Sequence, residues 1–188
     1  MEIGKILYVS NRKAWRRWLS QHHATAKEIW LIYYKKQSGK LRLPYNDAVE
    51  EALCYGWIDS IMKPIDGEKY AQRFSPRRPK AQWSAMNIER LRRLMRQKKV
   101  TKAGLDAAQD ALVAIRKQRN KTSIPSDILK ALKKNPVVWK KFSRFPASYK
   151  RIRIGWIDGS RKHPELFSQR LNYFLKMTVQ NKRFGMVQ

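Results

Sequence analysis

The sequence predicts an α+β fold in which helices pack a small, mostly antiparallel sheet and a helical C-terminal module follows. Two local patterns support this prediction in the first half of the chain. Aromatic and β-branched residues fill the strand-sized run from Glu28 to Lys35, and the pair Asp66-Gly67 lies between two further strand-like runs. In the second half, apolar residues recur at helical spacing. We therefore divide the 188 residues into an α+β domain (1–116), a basic linker (117–124) and a helical module (125–188).

Two elements open the chain. Ser10 or Asn11 caps a first helix, because both side chains accept hydrogen bonds from the free N–H groups at a helix start. The apolar face of this helix carries Trp15, Trp18 and Leu19. The run from Glu28 to Lys35 follows as a buried strand, and Gln37-Ser38-Gly39 then turns the chain.

A short helix and a hairpin come next. The helix begins near Pro44 and ends near Gly56, since glycine commonly follows a helix end. The predicted hairpin strands are Trp57–Ile65 and Glu68–Phe74. Between them, Asp66-Gly67 is typical of a type I′ turn, which needs positive φ angles at both central residues.

Helices occupy the rest of the chain. The segment Ser84–Gln97 combines an apolar stripe with an arginine-rich opposite side, and Thr101 caps the helix after it. The segment Lys117–Ser123 is polar, basic and without periodicity, which favours a linker. Pro125 and Pro136 stand where first-turn prolines are tolerated, so each begins a short helix. The last helix directs five side chains inward: Phe167, Leu171, Phe174, Leu175 and Thr178.

Composition restricts the class of protein. Hydrophobic residues make up 43% of the chain, and no apolar run approaches the roughly 20 residues that cross a bilayer. The N-terminus lacks the basic and long apolar segments of a signal peptide, and a single cysteine excludes an intramolecular disulfide, so we expect a cytoplasmic protein. The net charge of +28 favours a polyanion such as nucleic acid as a partner, with a protein partner as the other option.

The residues around the hairpin predict an anion-binding surface. A hairpin centred on Asp66-Gly67 places Asp59 opposite Phe74 and next to Arg73, so we expect an Asp59–Arg73 ion pair. Free N–H groups at the start of the Ser84 helix also favour anions. The candidate anion-binding residues are Arg73, Arg77, Arg78, Ser84 and Asn87, and the supporting motif residues are Trp57, Asp59 and Trp83. In the alternative interpretation, the ion pair and the Ser84 cap are purely structural.

A second function stays open at this level. The helix that begins at Ser84 carries four arginines on one side, next to the basic linker: Arg90, Arg92, Arg93 and Arg96. Such a face predicts weak nucleic-acid binding without sequence preference, because the contacts are made to phosphates.

The sequence contains no complete catalytic, cofactor or metal motif, which favours a binding or protection role over an enzymatic one. We expect no cofactor. Cys54 is interpreted as a buried small hydrophobe rather than a nucleophile, because no His or Lys stands near it in sequence. His22 and His23 point to different sides of a helix and His163 is remote, so no metal site is predicted.

Several tryptophan-containing strings keep a distinctive order and spacing. They are Tyr45–Asp59, which ends in Leu-Cys-Tyr-Gly-Trp-Ile-Asp, then Gln72–Arg78 and Trp83–Asn87. These strings resemble the bacterial YdeI/OmpD-associated family, and the resemblance continues from Pro125 to Arg183, except that Pro164-Glu165-Leu166-Phe167 replaces a Glu-Thr-Arg pattern. The resemblance implies a bacteriocin-protection label without a reaction or catalytic residues to transfer. The tetrapeptide Gly-Trp-Ile-Asp occurs twice, at 56–59 and 155–158, which we interpret as coincidence.

Overall fold

The structure is a computed structural model that describes residues 2–119 and 124–185, with the backbone alone at Ala114 and at 117–119. The first elements are β1 (Ile6–Leu7), α1 (Arg12–His22), β2 (Ile29–Tyr34), a 3-10 turn (Lys36–Ser38), α2 (Tyr45–Cys54), β3 (Trp57–Pro64) and β4 (Lys69–Pro76). They are followed by α3 (Ala85–Arg96), α4 (Lys102–Asp106), α5 (Gln109–Arg119), α6 (Ser126–Lys133), α7 (Pro136–Arg144), α8 (Ala147–Asp158) and α9 (Pro164–Val179). The predicted α+β class is confirmed.

The chain divides into two compact units. The first has the bounds Met1–Ala81 with Arg90–Val113, and the second has the bounds Gln82–Glu89 with Ala114–Gln188. Helix α5 continues to Arg119, so the first three residues of the predicted linker are helical, and residues 120–123 lie outside the described part of the chain. The division at 117–124 therefore stays a prediction.

The first unit contains a four-stranded sheet in the order β1-β2-β4-β3. Strands β1 and β2 are parallel, and the other two pairs are antiparallel, which matches the predicted mostly antiparallel sheet. The central strand β2 is buried along five of its six residues. Burial on both faces explains why its sequence is a continuous apolar run rather than an alternating one.

The two faces of this sheet carry different side chains. On one face Phe74 pairs across the strands with Ile29 and packs against Trp15 of α1, with 5.5 Å between ring centroids. The Trp15 indole N–H donates to the Ala48 carbonyl at 3.0 Å, which ties α1 to α2 over this face. On the opposite face Trp30, Ile32 and Ala71 form a buried cluster with Ile3 and Tyr34.

The predicted type I′ turn is wrong. Neither Asp66 nor Gly67 has a positive φ. Instead the Asp66 carboxylate accepts hydrogen bonds from the backbone N–H groups of Glu68 (2.8 Å) and Lys69 (3.0 Å). An aspartate side chain that bonds to the backbone two residues on closes the turn by itself, so the connection has four residues between the strands rather than two.

The hairpin register holds near its open end and shifts near its turn. Asp59 pairs with Phe74 as predicted, but Met62 pairs with Gln72, one position off the predicted register. The irregularity leaves backbone carbonyls of Ser60 and Ile61 outside the ladder, and the Gln72 amide donates to both, at 3.1 and 3.3 Å. The buried Gln72 side chain therefore supplies hydrogen bonds to the carbonyl groups at the bulge.

Helix α2 ends against a distant segment. Gly56 has a φ of +77°, which is the left-handed conformation that commonly follows a helix end. The Thr101 N–H and hydroxyl both donate to the Cys54 carbonyl, at 3.0 and 2.7 Å. A Cβ at Gly104 would lie 2.2 Å from the same carbonyl oxygen, so only glycine allows α4 to approach α2 this closely.

The second unit is built from the helices α6 to α9 around an aromatic core. Its buried residues include Leu132, Phe142, Tyr149, Ile157 and Phe174. All five side chains predicted to face inward from the last helix do so: Phe174 and Thr178 are buried, and Phe167, Leu171 and Leu175 pack against the cluster. The second Gly-Trp-Ile-Asp lies inside α8, whereas the first forms a turn and the start of β3, so the two are not a structural repeat.

Candidate functional site

A polar cluster in the first unit begins with the contact between α2 and β3. Tyr45 is the first residue of α2, and its hydroxyl donates to the Asp59 carboxylate at 2.5 Å. The tight turn at Gly56 reverses the chain, which brings the third residue of β3 back beside the start of α2. Burial raises the pKa of Tyr45, and the hydrogen bond to Asp59 raises it further. Tyr45 is therefore held as a neutral donor to a carboxylate.

Two half-buried arginines lie in the electrostatic field of Asp59. Burial lowers the pKa of Arg77, and the charge of Asp59 opposes that effect without cancelling it. Burial also lowers the pKa of Arg90, although Tyr45, Glu50 and Asp59 oppose it. Arg90 donates to the side-chain oxygen of Asn46 at 2.7 Å, a neutral acceptor. For both guanidinium groups, burial therefore has a larger effect on the pKa than the nearby negative charges.

Tyr33 adds a hydroxyl to this face of the sheet. The residue is 2% exposed, and its hydroxyl has no hydrogen-bond partner among the described residues. Its ring stacks on Tyr70, with 5.3 Å between centroids. Burial raises the pKa of Tyr33, and the charges of Tyr70, Tyr45 and Asp59 raise it further, so the hydroxyl belongs to the same electrostatic environment. We call Tyr33, Tyr45, Asn46, Asp59, Arg77 and Arg90 the Asp59 cluster.

A second arginine-rich group, which we call the α1–α2 network, lies nearby in the same unit. It joins Arg12, Arg16 and Arg93 to Asp47, Glu50 and Glu51. Arg12 contacts all three carboxylates, at 3.0, 3.1 and 2.5 Å, and Arg16 contacts Glu51 at 2.6 Å. Burial lowers the pKa of Arg12, but the hydrogen bonds and charges of Glu51 and Glu50 outweigh it, so the pKa is raised. These carboxylates therefore compensate their arginines.

The predicted Asp59–Arg73 ion pair is wrong. Arg73 instead contacts Glu28 through two nitrogens, each at 2.7 Å, and this contact lowers the pKa of Glu28. The physical reason is the pleat of the sheet. Asp59 shares a face with its cross-strand partner Phe74, and the neighbouring residue Arg73 points to the opposite face, where its partner is Trp30.

The other predicted anion-binding residues lie in both units. Arg77 and the exposed Arg78 belong to the first unit. Ser84 and Asn87 belong to the second, where the Ser84 hydroxyl accepts from the Asn87 N–H at 3.2 Å and so caps α3. The convergence of all five residues on one anion stays a prediction, as do the supporting roles of Trp57, buried under the Trp18 ring, and Trp83.

The arginines predicted to form a nucleic-acid face have different surroundings. Arg90 and Arg93 contact Asn46 and Glu50 of α2, whereas Arg96 is exposed at the end of α3. Arg92 is partly buried. The helical spacing of arginines gave no sign of these contacts, because their partners lie more than 40 residues earlier. In the sequence, the distinctive string that begins with Tyr45-Asn46 was the one feature that pointed to the Asp59 cluster.

The surroundings of Cys54, His22 and His23 indicate that these side chains contribute to packing. Cys54 is fully buried, and burial raises the pKa of its thiol to about 11. The His22 ring packs on Trp18 and the His23 ring on Tyr55. Within residues 2–119 and 124–185, no group of three or more His, Cys, Asp or Glu side chains is placed to hold a metal ion. None of the helices described there is long and apolar enough to cross a membrane.

Comparisons with known proteins divide the chain in two. Residues 7–107, more than half of the chain, match the family model described as Domain of unknown function (DUF8412). Residues 121–181 match the model described as Bacteriocin-protection, YdeI or OmpD-Associated, which confirms the resemblance for the helical part. The Tyr45–Asp59 and Gln72–Arg78 strings fall within the first match. No curated protein and no solved structure matches the chain.

Proposed function

This chain belongs to the family described as Domain of unknown function (DUF8412), and from that premise we propose that its first unit binds a small anion at Arg77 and Arg90. The protein then acts as a binding factor, in the stress- or antimicrobial-protection class that the description of the 121–181 match suggests. The proposal makes the ligand an inorganic or organic anion small enough to enter the Asp59 cluster.

The observation that carries the proposal is the burial of two arginines in the Asp59 cluster. Burial lowers the pKa of both Arg77 and Arg90 because the nearby carboxylates do not offset the loss of water. A bound anion would offset part of this loss of water, and guanidinium groups match carboxylate and phosphate oxygens in geometry.

Tyr33 supports a site that is incomplete without a ligand. A buried hydroxyl without a partner costs about 1–3 kcal/mol, and proteins rarely leave one unsatisfied. The Tyr33 hydroxyl is such a group within the described residues, and it shares the field of Asp59. An anion oxygen in the cluster would accept its hydrogen bond.

The net charge argues against one version of a protection role. At +28 the chain repels cationic peptides over distances of about one Debye length, near 8 Å at physiological salt. Direct capture of a cationic bacteriocin is therefore not the proposed activity. The same charge raises the local concentration of anions around the Asp59 cluster.

Thermal unfolding in inorganic phosphate, compared with chloride at equal ionic strength, tests the proposal. We expect phosphate to raise Tm by several degrees, because a ligand at 100 times its Kd stabilises the fold by about 2.7 kcal/mol. Arg77→Gln should remove most of this rise, whereas Arg17→Gln, the same charge change at an exposed residue of α1, should keep it.

A second variant, Tyr33→Phe, tests the proposal even if Arg77→Gln fails to fold. It removes only a hydroxyl without a described partner, so the unliganded Tm should not fall, while the phosphate-induced rise should shrink. A wild-type protein that phosphate does not stabilise, or equal rises in Arg17→Gln and Arg77→Gln, would overturn the proposal.

Non-specific nucleic-acid binding is the second candidate, favoured by the exposed run that contains Arg96, Lys98 and Lys99. Affinity for duplex and single-stranded DNA should fall steeply between 50 and 200 mM salt, since phosphate contacts release counterions. Arg96→Gln should reduce the slope of log affinity against log salt by about one. Arg93→Gln, which removes a contact to Glu50, should change stability more than this slope. Absence of binding at about 50 mM salt would end this alternative.

A further inference from the structure

A cavity lies in the second unit, and none of its lining residues belongs to the Asp59 cluster. Its volume is about 550 Å³, and small-molecule sites commonly measure roughly 300–1,000 Å³. Residues of the first turns of α3, of α7 and of α8 supply most of its lining, and every lining residue belongs to the second unit.

The walls of the cavity are apolar and partly aromatic. Trp139 and Phe142 of α7 line the cavity with their ring centroids 5.8 Å apart and their planes 28° apart. Phe142 is 2% exposed, so the partly buried Trp139 supplies most of the aromatic surface. Ile88 and Ile154 line the cavity from α3 and α8. Flat rings beside aliphatic side chains suit a planar apolar ligand, because stacked aromatic groups add to the free energy of burial.

Three of the four charged residues of the lining form ion pairs among the described contacts. Arg151 donates two hydrogen bonds to the buried Glu89 carboxylate, at 2.6 and 2.8 Å, so that pair is neutral. Asp158 contacts Arg161 at 2.5 Å. The Lys150 ammonium donates to the Ser143 carbonyl at 2.7 Å and has no acidic partner among the described contacts. The lining as a whole is neutral, with two acidic and two basic residues, and Lys150 is its one charged residue without an ion pair among the described contacts.

We propose that this cavity binds a planar, largely apolar organic molecule that carries a single anionic group. The ring system lies on Trp139, and the anionic group lies at Lys150. An ammonium has three N–H donors and the Ser143 carbonyl takes one, so two remain for carboxylate or sulfonate oxygens. The Lys150 ammonium also lies 5.3 Å from the Phe142 ring centre, which places the cation at the edge of the apolar wall.

Two fluorescent probes with the same kind of ring system test both parts of this proposal. The anionic probe is 8-anilinonaphthalene-1-sulfonate, and the neutral probe is N-phenyl-1-naphthylamine. Titrations of the full chain at about 1 M salt suppress binding to exposed surface cations, because the Debye length falls to about 3 Å. We expect one saturable site per chain and an affinity for the anionic probe about tenfold higher than for the neutral one.

Three variants assign the site. Lys150→Gln should reduce the tenfold preference to about one while leaving the neutral probe unchanged. Ala147→Trp fills the cavity from the start of α8 and should weaken both probes about tenfold or more. Lys140→Gln is the matched control, since Lys140 is an exposed lysine of α7 outside the cavity lining. Near-UV circular dichroism and Tm confirm that each variant is folded.

Each result of these titrations tests a different part of the proposal. No saturable binding of either probe to the folded wild-type protein overturns the cavity as a binding site. Equal probe preference in wild type, Lys140→Gln and Lys150→Gln overturns the anionic assignment. Because no residue of the Asp59 cluster is changed, failure here leaves the proposed function of the first unit untouched.

Discussion

The α1–α2 network and the Asp59 cluster use the same residue type in the same unit, yet their charge balance differs. In the network three arginines meet three carboxylates, and the pKa values of Arg12 and Arg16 are raised. In the cluster the pKa values of Arg77 and Arg90 are lowered, because burial exceeds the effect of the nearby carboxylates. The first group stabilises the fold through ion pairs, and the second is the group for which we propose anion binding.

Removal of a network carboxylate should have the largest effect. Glu51→Gln leaves Arg12 and Arg16 without the carboxylate that both contact, and Glu51 is 2% exposed. Breaking a buried pair costs about 3–5 kcal/mol, and we expect about 2–3 kcal/mol here because water still reaches the arginines. Urea unfolding measures the loss. Glu68→Gln, at an exposed residue 3.8 Å from Lys40, should change the unfolding free energy by less than about 0.5 kcal/mol.

A carboxylate of the Asp59 cluster should behave differently. Asp59→Asn keeps an acceptor for the Tyr45 hydroxyl but removes the charge, so the unfolding free energy should fall by only about 1 kcal/mol. Phosphate should then raise Tm more than in wild type, because the anion no longer competes with a carboxylate. If phosphate raises the Tm of Glu51→Gln as much as that of Asp59→Asn, the α1–α2 network and the Asp59 cluster do not differ in anion binding.

The smallest effect is a pKa change at Cys54, next to the network. The thiol pKa, about 11 in the fold against an ordinary 9.0, is raised by burial and by the charge of Glu51. The neutral thiol therefore favours the fold fully below pH 9, and this contribution is lost as pH rises toward 11. Glu51→Gln should lower the thiol pKa and Asp59→Asn should not. The ¹³Cβ shift of this single cysteine against pH measures both, and equal pKa values in all three proteins would contradict the comparison.

Local signals predicted the elements well because their causes are local. The Asn11 and Thr101 side chains cap their helices as expected, with the N–H groups of Ala14 and Gly104 as donors. The buried strand β2 lies within Glu28–Lys35, the run with the richest aromatic and β-branched content. In each case the decisive contacts join residues close together in sequence.

Contacts that are long-range or depend on side-chain direction could not be predicted from the local pattern. The Asp59–Arg73 pair was inferred from register alone, although the two side chains leave opposite faces of the sheet. Arg90 and Arg93 were assigned to an open helix face, because nothing in the local pattern indicates that Asn46 and Glu50 lie beneath them. The cavity on α7 and α8 likewise joins residues far apart in sequence.

The Thr101 contacts to the Cys54 carbonyl have a consequence for synthesis on the ribosome. The end of α2 gains its hydrogen-bond partners from a residue 47 positions later, so the first unit cannot be completed when the sheet alone has emerged. Arg93, the partner of Glu50, arrives late for the same reason. The nascent chain therefore carries the Cys54 carbonyl without its Thr101 donors until α4 has left the exit tunnel, although Arg12 and Arg16 are already present to pair with the carboxylates of α2. During this interval the first unit is incomplete, and incompletely folded chains expose apolar surface that favours aggregation.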